Sequence, residues 1–221
     1  MEIPLRKGRT RMVYRIIPGR YPQIDLFERV ASPEEWEVLF EIESLTNPRL
    51  RDEIGDIRLV PEEDRIFGPG SSWIMAAFTH PPVDGGGGRF NRDFGVFYCS
   101  PSIAVCTAES TYHQARFLRE SRIERETVEM RVLQVRLLPV ALHDIRQLDD
   151  DRIYDPANYS AGQALGQRLK SERSHGIRYR SVRHRGECVA VLRPPALNDA
   201  RHLRYLRYHY RDDAIVSTEH V

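Results

Sequence analysis

Short apolar runs of the kind found in β-strands alternate irregularly with amphipathic runs of helical type along this chain. The clearest strand pattern covers residues 127–138, which are rich in Val, Leu and Met and are followed by Pro139. Helical patterns cover residues 101–119 and 161–173. This irregular order is typical of the α+β class, so we predict a mixed or antiparallel sheet core with flanking helices and not a doubly wound parallel sheet.

Weaker patterns complete the predicted fold. Ser32, Pro33 and Glu35 form a capping box, which predicts a helix that ends before Asn47-Pro48. The apolar run 72–78 is open between strand and helix, with its Met and two alanines favouring a helix. Further strands are predicted at residues 12–17, 94–98, 178–182 and 187–192, and a hairpin at residues 203–210 and 214–218.

Charge and composition exclude several classes of protein. The chain has 221 residues, with 33 Lys or Arg against 32 Asp or Glu, so it is not a globally basic nucleic-acid binder. Its length and 41% hydrophobic content suit one domain over residues 1–221. No apolar run reaches the roughly 18–20 residues of a membrane span, and residues 1–10 lack the apolar segment of a signal peptide.

Cysteine and histidine usage argues against two further classes, disulfide-bonded and metal-binding proteins. The three cysteines form no CxxC motif, which argues against a disulfide framework. The eight histidines are scattered, so we predict no metal site. Together these features predict a cytoplasmic protein that has no membrane partner.

Two segments carry residues suited to chemistry on an anionic substrate. Arg89 directly follows the glycine run 85–88, where backbone without Cβ atoms can approach an anion and a guanidinium can grip phosphate. The alternative is an ordinary surface loop. Glu109 lies on a largely apolar turn of the predicted helix 101–119, with Tyr112 and His113 on the same face. Glu109 is therefore either held in a site or on a solvated helix face.

A second set of residues suggests a different function. Residues 178–185 are basic and contain Ser181, and residues 201–211 mix arginines with tyrosines. This composition is found on surfaces that bind single-stranded nucleic acid, although tyrosines and leucines of a hairpin are more often core residues. We keep nucleic-acid binding through these segments as the alternative function, while the balanced net charge does not favour it.

Five short motifs, in order along the chain, resemble those of the RES domain, the toxin of bacterial RES–Xre toxin–antitoxin systems. The motifs are Tyr14-Arg15-Ile16, Gly87-Gly88-Arg89-Phe90-Asn91, Tyr98, Ala108-Glu109 and Tyr179-Arg180-Ser181-Val182. Phe90 stands where the family usually has Trp. Residues 21–70 separate the first two motifs by more than compact members need, and we predict a helical insertion there.

The resemblance implies a fold like that of ADP-ribosyltransferases and an enzyme that consumes NAD+. The reaction would be hydrolysis or phosphorolysis of the nicotinamide–ribose bond, or transfer of ADP-ribose to a protein. The implied catalytic residues are Glu109, Arg15 and Ser181. The implied NAD+-binding residues are Arg15 and Arg89 at the pyrophosphate, Tyr98 at the nicotinamide ribose, and Ser181, which would orient a ribose or Glu109. NAD+ would be a substrate, so no cofactor is expected.

The same resemblance implies a protein partner. An enzyme that destroys NAD+ in the cytoplasm needs a neutralising partner, and the family points to a helix-turn-helix antitoxin of the Xre type. The sequence leaves open whether the protein forms a homodimer. A third interpretation keeps the fold but makes the chain an inactive module that only binds partners.

Overall fold

A computed structural model describes residues 3–20, 26–28, 35, 38, 55–82 and 87–221, and two sheets form its framework. The five strands of the mixed sheet are β1 (Leu5–Lys7), β3 (Phe97–Cys99), β5 (Ala141–Asp144), β6 (Gly176–Arg180) and β7 (Glu187–Val191). They lie in the order β1-β5-β6-β7-β3, and only β5 and β6 pair in parallel among these strands. The antiparallel sheet has the order β2-β4-β8-β9, with β2 (Arg11–Pro18), β4 (Arg125–Leu137), β8 (Leu197–Arg211) and β9 (Ala214–His220).

Within the described residues, the helices α1 (Ser71–Thr79), α2 (Ile103–Glu120) and α3 (Ser160–Ser171) pack on these sheets. Short 3-10 turns cover Leu26–Glu28, Ile57–Leu59, Glu62–Asp64 and Pro194–Ala196. The α+β class and the mixed sheet are confirmed, and the run 72–78 is helical. Within the described part of the chain, no helix is both long and apolar enough to cross a bilayer.

Several predicted boundaries differ from the structure. The strand predicted at 94–98 begins only at Phe97, and β6 ends at Arg180, so Ser181 lies in the following turn and not in a strand. β1 and β5 were not predicted, because three or four residues with one or two apolar side chains show no period. The helix predicted after Ser32 and most of the predicted insertion 21–70 lie outside the described residues, as do Gly85 and Gly86.

Helices α1 and α2 flank opposite faces of the antiparallel sheet. Trp73 of α1 belongs to the core cluster that contains Leu133 of β4. On the other face, Ser110 of α2 lies 2.7 Å from the hydroxyl of Tyr208, which packs with Val132. Alternating side chains of one sheet thus support a helix on each side.

The two sheets are joined edge to edge at one backbone bridge. Tyr14 of β2 donates its N–H to the Ser100 carbonyl at 2.7 Å, and Ser100 donates back to the Tyr14 carbonyl at 3.0 Å. β2 is an edge strand of the antiparallel sheet and β3 an edge strand of the mixed sheet. Past this bridge the two edge strands part, and residues of both line a single cleft.

Candidate active site

The cleft between the two sheet edges has a volume of about 970 Å³. This lies at the upper end of the roughly 300–1,000 Å³ typical of sites for small molecules and cofactors. Four of the five predicted site residues line it: Arg15, Arg89, Tyr98 and Glu109. The fifth, Ser181, contacts one of them directly. The fold therefore brings together residues that are spread over most of the chain.

Glu109 lies on the cleft side of α2 and is held by Ser181 in the turn after β6. The Ser181 hydroxyl donates to Glu109 Oε1 at 2.5 Å. Ser181 Oγ in turn accepts the backbone N–H groups of Arg183 at 3.0 Å and His184 at 3.1 Å. Since these two donors occupy the oxygen lone pairs, the hydroxyl proton is directed at the carboxylate. Of the two roles predicted for Ser181, the structure shows the contact with Glu109.

The helix that carries Glu109 is fixed at its start by two serines. Ser102 is the N-cap, and its side chain accepts the N–H of Val105 at 3.4 Å. Ser100, which directly precedes the predicted helix 101–119, donates its hydroxyl to the Glu187 carbonyl at 2.7 Å. The helix therefore begins at Ile103, and its start is anchored to both sheets.

Arg15 extends from β2 across the gap to β3. Its guanidinium lies 4.7 Å from the ring centroid of Phe97, and Nη1 donates to the carbonyls of Val96 and Tyr98, both at 3.4 Å. Burial lowers the pKa of Arg15 from its ordinary value. Its positive charge is thus poorly solvated and would be stabilised by an anion in the cleft.

Arg89 is almost fully buried and lies on the opposite wall. Its Nη1 donates to the carbonyls of Ile153 at 2.7 Å and Asp155 at 2.9 Å, and its guanidinium lies 4.8 Å from the ring centroid of Tyr159. Within the described residues, neither Arg15 nor Arg89 forms an ion pair with a carboxylate. Both guanidinium groups therefore line the cleft without an ion-pair partner among the described residues.

The loop 87–91 that carries Arg89 is tightly fixed. Asn91 Oδ1 accepts the Gly88 N–H at 3.0 Å and the Tyr98 hydroxyl at 2.7 Å, while Asn91 Nδ2 donates to the Phe94 carbonyl at 2.7 Å. Phe90 is fully buried against Tyr179, with ring centroids 4.8 Å apart. The buried aromatic ring of Phe90 therefore anchors the loop to the core.

Helix α3 supports this loop through two glycines. A Cβ atom on Gly162 would lie 2.4 Å from the Arg89 carbonyl oxygen, and one on Gly166 would lie 1.8 Å from the Phe90 carbonyl oxygen. The side chain of Gln163 donates to the carbonyls of Gly88 and Asn91. The close approach of helix to loop thus requires glycine at both positions.

His113 and Tyr159 also line the cleft. His113 is one helical turn after Glu109, as the spacing predicted. Tyr159, which directly precedes α3, was not predicted because no pattern marks it. Desolvation of the ring and the positive charges of arginines 183, 116 and 89 lower the pKa of His113 to about 4. The His113 ring is exposed to water in the cleft, which screens part of this effect. A pKa lowered from the ordinary value leaves His113 neutral at pH 7.

Side chains of the two segments considered for nucleic-acid binding, residues 178–185 and 201–211, make contacts within the protein. Arg178 pairs with Glu187 at 3.1 Å, Arg183 stacks on Tyr112 with 3.3 Å to the ring centroid, and Arg201 pairs with Asp199 at 2.8 Å. Tyr208 and Tyr210 are buried. These contacts do not favour a platform on which exposed aromatic rings stack bases.

The chain is similar to known proteins by family model, by sequence and by structure. A family model for the RES domain matches residues 62–211, a range that contains Arg89, Tyr98, Glu109 and Ser181 but not Arg15. An uncharacterized protein of Sinorhizobium fredii, y4oC, is 34% identical over 74 residues, which are 33% of this chain and 30% of that protein. A crystal structure of the M. tuberculosis MbcT–MbcA toxin–antitoxin complex matches with a TM-score of 0.47 and 11% identity, over 94% of this chain and 87% of that chain.

The family match covers well over half of the chain. It also includes the loop around Arg89 and the helix of Glu109, which line the cleft, and the turn of Ser181, which holds Glu109. The chain belongs to the RES domain family.

Proposed function

We propose that the protein consumes NAD+ by cleaving its nicotinamide–ribose bond. The observation that carries the proposal is the Glu109 carboxylate, held by Ser181 at 2.5 Å in a cleft that is also lined by two arginines, Arg15 and Arg89, without an ion-pair partner among the described residues. Membership of the RES domain family supports the same activity. A carboxylate and two cations in one cleft suit a substrate with a developing positive charge and a pyrophosphate.

Cleavage of the nicotinamide–ribose bond needs one carboxylate and no general acid. Nicotinamide leaves NAD+ as a neutral molecule, so its departure requires no proton, and positive charge develops on the ribose as the bond breaks. Glu109 would stabilise that charge. Ser181 holds Oε1, while Oε2 receives no hydrogen bond from any described residue and is available to the substrate ribose.

The two arginines would hold the pyrophosphate from opposite walls. The Arg89 carbonyl contacts involve only Nη1, which leaves its other nitrogen donors for a phosphate oxygen. The contacts of Arg15 with carbonyls are long, at 3.4 Å, and a charged oxygen would compete well with them. Tyr98 would contribute its ring, because its hydroxyl is already engaged with Asn91.

Release of nicotinamide from NAD+ by the purified protein tests the proposal. The variant Glu109→Gln keeps the shape of the side chain and removes its charge, so turnover should fall at least ~100-fold. Glu120→Gln is the matched control, since Glu120 lies on the same helix and is exposed. Near wild-type turnover by a folded Glu109→Gln variant would contradict the assignment.

The acceptor of the ADP-ribosyl group is water, phosphate or a protein side chain. Product analysis distinguishes the three: hydrolysis yields ADP-ribose, phosphorolysis yields ADP-ribose 1″-phosphate only when phosphate is added, and transfer yields a modified protein. Each acceptor would attack the ribose carbon on the face opposite the departing nicotinamide or after its departure.

We also propose that the chain is the toxin of a toxin–antitoxin pair, with a helix-turn-helix protein as its antitoxin. Family membership supports this proposal. Expression alone should arrest growth, co-expression with the adjacent reading frame should restore it, and Glu109→Gln should be harmless. Toxicity that persists beside every neighbouring gene product would contradict the pairing.

A further inference from the structure

The cleft continues beyond Glu109 to the opposite face of the antiparallel sheet. α2, with Glu109, packs on the face of Tyr208, whereas α1 packs on the face of Leu133. Both helices line the same cleft, which therefore passes the free edge of β2 and ends against α1. We name this second part the α1 arm: Ser72, Trp73, Ala76 and Ala77 on the helix and His80 directly after it, with Ile17 of β2 also lining it.

Residues of the α1 arm share one face of the helix and leave room for a flat ring. Ser72, Trp73, Ala76, Ala77 and His80 recur at the spacing of one helical face. Ala76 and Ala77 carry the smallest side chains on that face. Trp73 is fixed as a wall, with the Arg131 guanidinium 4.7 Å from its ring centroid. The arm is thus a largely apolar slot of the kind that binds a planar base.

Ser72 is a polar group that lacks a partner in this slot. Its side-chain oxygen is buried and has no hydrogen-bond partner among the described residues, and the residue is part of the cleft lining. A buried hydroxyl without a partner costs free energy, and a bound ligand would supply the missing partner. The neighbouring Ser71, by contrast, donates to the Gly68 carbonyl at 2.7 Å and is satisfied within the protein.

We propose that the α1 arm binds the adenosine half of NAD+, with Ser72 hydrogen-bonded to the nucleoside and the adenine ring against Ala76 and Ala77. This inference rests on the proposed function. With the scissile bond at Glu109 and the pyrophosphate at Arg15, the rest of the dinucleotide must continue along the cleft, and the α1 arm is where the cleft leads on the far side of β2.

The substrate affinity of two variants tests the assignment. Ser72→Ala removes the hydroxyl and should raise the KM for NAD+ about fivefold with kcat within about twofold of wild type. Ala76→Leu fills the slot and should raise KM at least ~10-fold. Ser171→Ala, an exposed serine at the end of α3, is the matched control. Inhibition by nicotinamide should be unchanged in both variants, because that end of the substrate lies at Glu109.

Direct binding of AMP separates this inference from the proposed reaction. AMP should bind the wild type and the Glu109→Gln variant equally, and should bind Ser72→Ala and Ala76→Leu more weakly. If AMP binds in this pattern but NAD+ is not cleaved, the adenosine site stands and the proposed reaction is wrong. If NAD+ is cleaved with an unchanged KM in folded Ala76→Leu, or if AMP binding is the same in all variants, the α1 arm is not the adenosine site.

Discussion

The hydroxyl of Tyr98 donates to Asn91 Oδ1 at 2.7 Å and accepts the N–H of Phe90 at 2.8 Å. Both hydrogen-bonding directions of this hydroxyl are thus used inside the protein. Burial raises the pKa of Tyr98 well above its ordinary value, so the group stays protonated and keeps donating. The hydroxyl therefore fixes the loop that carries Arg89.

Replacing Tyr98 with Phe should accordingly act on stability. The variant leaves the Phe90 N–H without its acceptor and Asn91 without one donor, so the free energy of unfolding should fall by about 1–3 kcal/mol. Affinity for NAD+ should fall with it, because Arg89 loses its support. Chemical denaturation measures the first effect, and Tyr112→Phe, which loses only an exposed contact, is the control. Unchanged stability would show that the loop has other sufficient anchors.

Ser181→Ala should lower turnover while leaving most of the fold intact. The substitution frees Glu109 Oε1 and leaves the N–H groups of Arg183 and His184 without their acceptor. We expect kcat for NAD+ to fall about 10-fold, less than in Glu109→Gln, because the charge remains but is no longer held in place. Steady-state kinetics beside the Ser171→Ala control measures this. A loss as large as that of Glu109→Gln would instead place Ser181 on the substrate.

Gly166→Ala tests the packing of α3 on the loop. Alanine in an exposed helix usually stabilises it by up to about 1 kcal/mol relative to glycine. Here the new Cβ would meet the Phe90 carbonyl oxygen at 1.8 Å, so the helix or the loop must shift. We expect a net loss of about 1–3 kcal/mol in unfolding free energy and weaker NAD+ binding.

The control for this change is Gly8→Ala, where nothing lies within 4 Å of the added Cβ. Its stability should be that of the wild type. Equal stability of both variants would mean that α3 does not press on the loop.

His113 should make stability depend on pH on the acid side. Its pKa in the folded protein is lowered to about 4 from an ordinary value of 6.5, so the unfolded chain binds the proton more readily. The stabilising contribution is present above pH 6.5 and is lost as the pH falls towards about 4. The variant His113→Gln should therefore lose less stability than wild type across this range. Parallel unfolding curves at several pH values measure the difference, and identical slopes would contradict it.

Local patterns explain how much of the fold could be predicted. The predicted strand 127–138 and the predicted helices 101–119 and 161–173 agree with the structure to within about two residues. In these long segments the regular spacing of apolar residues identifies the secondary structure. The position of Glu109 and His113 on one helical face follows from the same regularity. β1 and β5 are too short to show a period and are formed by pairing with each other and with β6.

The contacts between distant segments could not be predicted in this way. Ser181 and Glu109 are 72 residues apart, and only the packing of the mixed sheet against α2 brings them together. Ser181 was expected to project from a strand, whereas a turn places its hydroxyl. Tyr159 reaches the cleft from a chain segment that has no motif, and Ser72 was part of a run whose apolar character concealed its one buried hydroxyl.

The bridge between Tyr14 and Ser100 has a mechanical consequence. These two residues hold the edges of both sheets at one point, and the cleft opens from that point between β2 and β3. The bridge therefore fixes where the two edges meet, and Arg15, the residue after Tyr14, reaches the Val96 and Tyr98 carbonyls on the other edge. A change that loosens either strand at the bridge should therefore alter substrate binding without removing any group from the cleft.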